Sequence, residues 1–191
     1  LGGGGQGNHL PGLHAAGLRA AIGTPYYYSS LAQEKTGDFW VNGRLFGRQT
    51  CHVTEGIHES DYVIFIGTNP FQSHGFPQSR KVLREIAKDP TRTMVVIDPR
   101  RTKTADLADV HLAIKPGTDA FLMVAMLAQM VQEDLVDHPF LKKHTLGYEQ
   151  LAGMLSEIDV SAYIARTELE EELVRKVTRD FAAAEKACTR H

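Results

Sequence analysis

A chain of 191 residues that is 42% hydrophobic is long enough to bury one large core, or one core with a small appendage. Its 21 Lys and Arg against 23 Asp and Glu leave a formal charge of −2, which excludes a broad electrostatic footprint for nucleic acid or an anionic membrane, so any anion site must be local. Two cysteines, Cys51 and Cys188, stand far apart and outside any C-x-x-C pair, which argues against a disulfide framework or a cysteine-rich metal site and makes a reducing, cytoplasmic compartment the expectation.

The chain opens with five glycines in its first seven residues, and a helical pattern follows directly. Glycine permits positive φ and close approach of backbone N–H groups to an anion, and a helix N-terminus adds partial positive charge. Gly5, Gly7 and Asn8 are therefore candidate contacts to a phosphorylated ligand. Gly2, Gly4 and Gly7 also fit G-x-G-x-x-G spacing, a weak match in so glycine-rich a stretch. The competing reading is a flexible N-terminus, against which Asn8-His9 and the apolar run beyond it argue. A loop of this kind normally follows a strand, and the chain does not begin with Met, so a piece of a longer polypeptide is expected.

Residues 24–60 break the rhythm. Phe39 to Phe46 carries Asn42-Gly43 between apolar runs, the usual signal of a two-residue hairpin turn, and predicts an inserted hairpin. His52 and His58 near Cys51 fit no tetrahedral ligand spacing.

Asp61–Ile66, ending in Gly67, and Thr93–Asp98, ending in Pro99, are short unbroken apolar runs and read as strands buried on both faces. Between them, Gln78–Lys88 places Val82, Leu83, Ile86 and Ala87 on one helical face, completing a βαβ unit. A third run, Val110–Ile114, precedes an apolar helix over Asp119–Glu133. His111, inside that run, reads as a core or edge residue satisfied by one hydrogen bond. This alternation predicts an α/β fold: a parallel sheet flanked by helices, Rossmann-like, with a helical C-terminal part. In the last third, Pro139–His144 and Gly147–Leu155 read as short helices. Thr167-x-x-Glu170 reads as a capping box opening a long helix whose apolar face carries Leu169, Leu173, Val177, Phe181 and Ala184. The Glu170–Glu172 run complements that helix's dipole.

In an open α/β sheet, ligands bind outside the carboxyl ends of the strands. Three segments fall there. Gly67, Thr68, Asn69, Pro70, Ser73 and His74 follow the first strand and offer a permissive glycine, hydroxyls, an amide and an imidazole. Asp98, Arg100 and Arg101 follow the second; the carboxylate suits ribose hydroxyls or base N–H groups, and the guanidiniums suit phosphate. Gly117, Thr118 and Asp119 follow the third, at a helix start with free N–H groups. Singly, each segment reads equally well as a turn or cap. Together they predict a nucleotide-like ligand.

The series Gly3-Gly-Gly-Gln-Gly-Asn-His9, Ile66-Gly-Thr-Asn-Pro70, Ile97-Asp-Pro-Arg-Arg-Thr102 and Lys115-Pro-Gly-Thr-Asp119 resembles the molybdopterin oxidoreductases of the dimethyl sulfoxide reductase superfamily, which includes formate dehydrogenases and nitrate reductases. The resemblance runs over essentially the whole chain. It implies that residues 1–191 are one cofactor-binding domain of a larger catalytic subunit that holds bis(molybdopterin guanine dinucleotide) with molybdenum or tungsten. It further implies that Gly67, Asn69, Ser73 and His74 lie against the pterin dinucleotide, that Asp98 and Arg100 contact its nucleoside and phosphate part, and that Gly117, Thr118 and Asp119 close over it. A four-iron four-sulfur cluster is implied for the full-length protein but not for this segment, which lacks the cysteines. The expected partners are the remaining domains of the same subunit, an electron-transfer subunit and a small-molecule substrate, with no nucleic acid and no membrane segment.

The family's protein ligand to the metal falls between Pro25 and Gly37. No cysteine stands there, and Ser29, Ser30 and Glu34 are its oxygen donors, so the ligand stays unassigned. Two alternatives from other classes remain: an NAD- or FAD-binding module, which Asp98 suits equally well, and a non-catalytic interaction domain presenting the segment around Trp40.

Overall fold

The computed structural model describes residues 10–28, 35–49, 56–72 and 76–191. It divides into two compact units, Leu1–Thr54 and Glu55–His191.

In the first unit, helix α1 spans Leu10–Ile22 and helix α2 spans Thr36–Phe46. Helix α2 replaces the expected hairpin. A type I′ turn needs positive φ at both central residues, yet neither Asn42 nor Gly43 has it. The segment instead makes contacts with helical spacing: Lys35 pairs with Asp38 at 3.2 Å, and the Arg44 guanidinium lies 5.1 Å from the centre of the Trp40 ring. Gly47, at φ 72, provides the left-handed stop. The apolar pattern was compatible with either period, and the i, i+3 and i, i+4 contacts with the glycine stop fit the helical one.

The second unit is built on four strands: β1 (Tyr62–Ile66), β2 (Thr93–Ile97), β3 (Val110–Leu112) and β4 (Ala187–Arg190). All pair in parallel in the order β3-β2-β1-β4. The strand period of two divides the core. Val63, Phe65, Met94 and Val96 face helix α3 (Ser79–Ile86), whose Val82, Leu83 and Ile86 are buried against them with Ile57 and Ala105. Tyr62, Ile64, Val95, Ile97 and Leu112 face the opposite way, into a layer made by α4 (Asp119–Gln132), α6 (Tyr148–Ser156), α7 (Val160–Ala165) and α8 (Glu171–Ala183). Strands buried on both faces need apolar side chains at successive positions, which explains the unbroken runs.

Helix α5 spans His138–His144 and is capped by Asp137, whose carboxylate accepts from the Phe140 N–H. Asp159 caps α7 in the same way through the Ala162 N–H. Helix α3 is shorter than expected at both ends, and Ala87 is exposed.

The capping box does not form as expected. Glu168, at φ 60, breaks the chain between its two members. The Thr167 hydroxyl therefore closes the end of α7 by donating to the Ile164 carbonyl at 2.6 Å. Glu170 becomes the N-cap of α8 itself, accepting from the N–H groups of Glu172 and Leu173 at 3.0 and 2.7 Å. The apolar face of α8 is as read but centred one residue over, with Val174, Val177 and Thr178 buried and Leu169, Leu173, Phe181 and Ala184 packed around them.

An ionic seam ties α4 to α8. Arg179 donates twice to the Glu133 carboxylate, at 2.7 and 2.8 Å, and Gln129 adds a third bond at 3.1 Å. Among the described residues, no helix is long and apolar enough to cross a membrane.

Candidate functional site

Because β1, β2 and β3 are adjacent and parallel, the segments that leave their carboxyl ends share one edge of the sheet. Backbone bonds stitch these exits together. The Gly67 N–H donates to the Ile97 carbonyl at 2.9 Å, and the Asp98 N–H donates to the Leu112 carbonyl at 3.2 Å.

Gly67 turns the chain out of β1 with φ 61, and a Cβ there would meet nothing within 4 Å. The glycine is thus required by its backbone angle rather than by crowding. Asn69 is held at both ends of its amide: Oδ1 accepts from the Thr104 hydroxyl at 2.7 Å, and Nδ2 donates to Gln72 Oε1 at 2.8 Å. Pro70 is buried and its carbonyl accepts from Ser79 Oγ at 2.9 Å. Thr68 is half-buried. Ser73 and His74, like Gly5, Gly7 and Asn8, lie outside the described residues, as do Ser29, Ser30, Glu34, Cys51 and His52.

At the exit of β2, Asp98 Oδ1 accepts from the Arg100 N–H at 2.8 Å, and the Asp98 carbonyl meets His111 Nε2 at 2.9 Å. That bond satisfies His111 on the edge strand, as its position implied. The two arginines diverge. Arg101 is tied to Asp106 at 2.9 Å, whereas the exposed guanidinium of Arg100 has no hydrogen-bond or ion-pair partner among the described residues. Arg100 is therefore the cation this edge offers to an anion.

At the exit of β3, Gly117 adopts φ 80, again with open space at Cβ. The Thr118 hydroxyl is not a side-chain cap; it donates back to the Lys115 carbonyl at 2.6 Å and tightens the turn. Asp119 is the half-buried first residue of α4. The turn is braced from behind, where the Lys115 N–H donates to the Thr167 carbonyl at 3.1 Å and Lys115 Nζ meets Glu168 at 2.5 Å.

Sequence reasoning missed three features of this edge. The threonines 102 and 104 are buried, and Thr102 Oγ1 accepts from the Ala105 N–H at 3.2 Å. Their T-x-T spacing before a buried alanine was the available signal. Strand β4 also ends here, with the Arg190 guanidinium 5.8 Å from the centre of the Phe76 ring. An open cleft of about 480 Å³ lies over the first turns of α3, lined by Phe76, Gln78, Ser79, Arg80, Lys81 and Arg84. Two of its cations are engaged: Arg80 Nε donates to the Phe71 carbonyl at 2.8 Å, and Lys81 pairs with Glu85 at 3.8 Å.

A parallel sheet edge with two left-handed glycine turns, a carboxylate and a guanidinium unpaired among the described residues lies where doubly wound proteins bind their ligands. Residues 14–179 match the molybdopterin oxidoreductase family, and the chain belongs to it. It is 34% identical over 133 residues to the F420-dependent formate dehydrogenase subunit alpha of Methanocaldococcus jannaschii, an alignment covering 70% of this chain and 19% of that protein. It is 31% identical over 171 residues to the assimilatory nitrate reductase of Haloferax mediterranei, covering 89% of this chain and 24% of that protein. The structure of acetylene hydratase from Pelobacter acetylenicus superposes with a TM-score of 0.73 at 25% identity, over 90% of this chain and 23% of that chain. The chain thus spans about a fifth to a quarter of the length of these relatives. The family implies a molybdopterin cofactor with molybdenum or tungsten, and the Asp98 carboxylate together with the Arg100 guanidinium, unpaired among the described residues, suits the polar end of such a group.

Proposed function

We propose that this domain binds molybdopterin in its guanine dinucleotide form, as part of a larger molybdenum- or tungsten-dependent oxidoreductase of the formate dehydrogenase or nitrate reductase kind. The observation that carries the reading is the convergence of the Gly67, Asp98–Arg100 and Gly117–Asp119 turns on one edge of the sheet. In this assignment Asp98 accepts from base N–H groups or ribose hydroxyls, Arg100 meets phosphate, and the 117–119 turn closes over the nucleotide. Thr68, Pro70 and Arg101 shape the same edge, and Ser73, His74, Gly5, Gly7 and Asn8 are proposed as further contacts on the strength of the family resemblance.

The cofactor supplies the two-electron redox chemistry; the domain's part is positioning and electrostatics. The lengths of the relatives support the role of one part of a longer catalytic subunit. In this reading its other domains, an iron–sulfur cluster held outside residues 1–191 and an electron-accepting subunit complete it. The relatives' names range over formate, nitrate and acetylene, so the substrate follows from parts of the polypeptide other than this scaffold.

Calorimetric titration of the chain with GDP, NAD and FAD tests the reading. Binding of GDP in preference to NAD and FAD supports it. Preference for NAD or FAD returns the domain to the ordinary dinucleotide modules, and absence of binding to all three favours an interaction domain.

A further inference from the structure

Thr104 is fully buried, stands two residues past the marked segment that ends at Thr102, and joins two of the three edge turns. Its Oγ1 donates to Asn69 Oδ1 at 2.7 Å and accepts from the Phe71 N–H at 3.2 Å, across 35 and 33 residues of sequence. We propose that the Thr104 hydroxyl is a positioning group that clamps the turn after β1 to the segment after β2, and so sets the spacing between the two ligand-holding turns. The proposal rests on the nucleotide reading above.

Both sides of the clamp are closed by hydrogen bonds of their own. On one side, Thr104 lies in a tight helical turn, with the Asp106 N–H on the Thr102 carbonyl at 2.9 Å and the Leu107 N–H on the Thr104 carbonyl at 3.1 Å. This segment leads back to Asp98 and Arg100 within six residues. On the other side, the 69–72 turn closes on itself through the Gln72 N–H and the Asn69 carbonyl at 3.0 Å, and the Pro70 and Phe71 carbonyls are held by Ser79 and Arg80 of α3. A hydroxyl is required because one atom must donate and accept at once in a site closed to water. The arrangement also reassigns Asn69. With Oδ1 and one Nδ2 N–H engaged inside the protein, Asn69 shapes the turn and keeps a single N–H for a ligand.

The test uses the full 191-residue chain, with amide hydrogen exchange and GDP titration on wild type, Thr104→Val and Thr104→Ser. Valine matches the shape but leaves Asn69 Oδ1 and the Phe71 N–H unsatisfied; serine keeps the hydroxyl. In Thr104→Val, amides in the 69–72 turn exchange roughly tenfold faster and GDP binds roughly tenfold more weakly, while amides of β1 and β2 keep wild-type protection. Thr104→Ser restores both. If Thr104→Val does not fold, Asn69→Ala removes the other half of the clamp and is read in the same way.

Exchange that is unchanged in the turn, or that rises evenly over the whole sheet, overturns the proposal. Equal GDP affinity in Thr104→Val and wild type does so too. A wild-type chain that does not bind GDP instead defeats the nucleotide reading, and with it the ligand-positioning role, while the exchange pattern still decides whether the clamp exists.

Discussion

Asp98 accepts the backbone N–H of Arg100 at 2.8 Å, so the first residue after β2 folds the next two back over the strand end while its guanidinium neighbour stays exposed. The carboxylate thus has one structural bond and a second oxygen available to a ligand. Asp98→Ala removes one backbone hydrogen bond at a half-buried site, a loss of about 1 kcal/mol or a few degrees of melting temperature. Its effect on nucleotide affinity is larger, roughly ten- to hundredfold, because a charged acceptor is lost. Parallel melting and GDP titration check this; a large melting loss with affinity intact would sink the assignment.

Gly117 makes a complementary prediction. At φ 80 an alanine is strained although nothing obstructs its Cβ, so Gly117→Ala costs about 1 kcal/mol through the backbone alone. The displaced turn also weakens GDP binding. Denaturant unfolding with an unchanged slope and a lower midpoint is the expected record.

Acid sensitivity follows from the α4–α8 seam. The two hydrogen bonds from Arg179, aided by its charge and by Gln129, hold the Glu133 carboxyl below the usual glutamate range against a smaller opposing effect of burial. A depressed folded-state value means that the stabilisation is fully present above the unfolded value, about 4.3, and is lost as pH falls through the folded one. Glu133→Gln therefore lowers stability by roughly 1 kcal/mol at neutral pH, since the pair is partly solvent-screened, and flattens the acid limb of the stability profile. Urea midpoints measured between about pH 3 and 7 would show it as curves that converge at low pH. Curves that stay parallel would contradict it.

Leu122 sits fully buried where α4 meets the sheet. Leu122→Ala should cost about 2–5 kcal/mol, the range for a core leucine that leaves a cavity. Because α4 also carries the 117–119 turn at its N-terminus, the variant is expected to lose GDP affinity in step with stability, unlike Asp98→Ala. Thermal melts alongside titrations separate the two behaviours.

The sheet was legible where burial on two faces demands unbroken apolar runs, as in Tyr62–Ile66 and Thr93–Ile97. It was not legible at β4, because Ala187-Cys-Thr-Arg190 is a half-exposed edge strand with no apolar run to mark it. Residues 39–46 misled because Asn-Gly signals a hairpin only where positive φ is adopted, and here helical contacts prevail. The edge turns could be located because parallel topology fixes where strand exits gather. What each side chain does there was hidden: Arg101 turns to Asp106 and Asn69 to Gln72 within their own turns, and Asn69 bonds to Thr104 across 35 residues, which no local pattern encodes.

Metal and nucleotide analysis of the full polypeptide carrying this domain, purified without oxygen, tests the assignment of a molybdopterin guanine dinucleotide to it. The expected result is molybdenum or tungsten together with guanine nucleotide released on acid hydrolysis of a bound pterin. Protein that carries nicotinamide or flavin, with neither metal nor pterin, would contradict it.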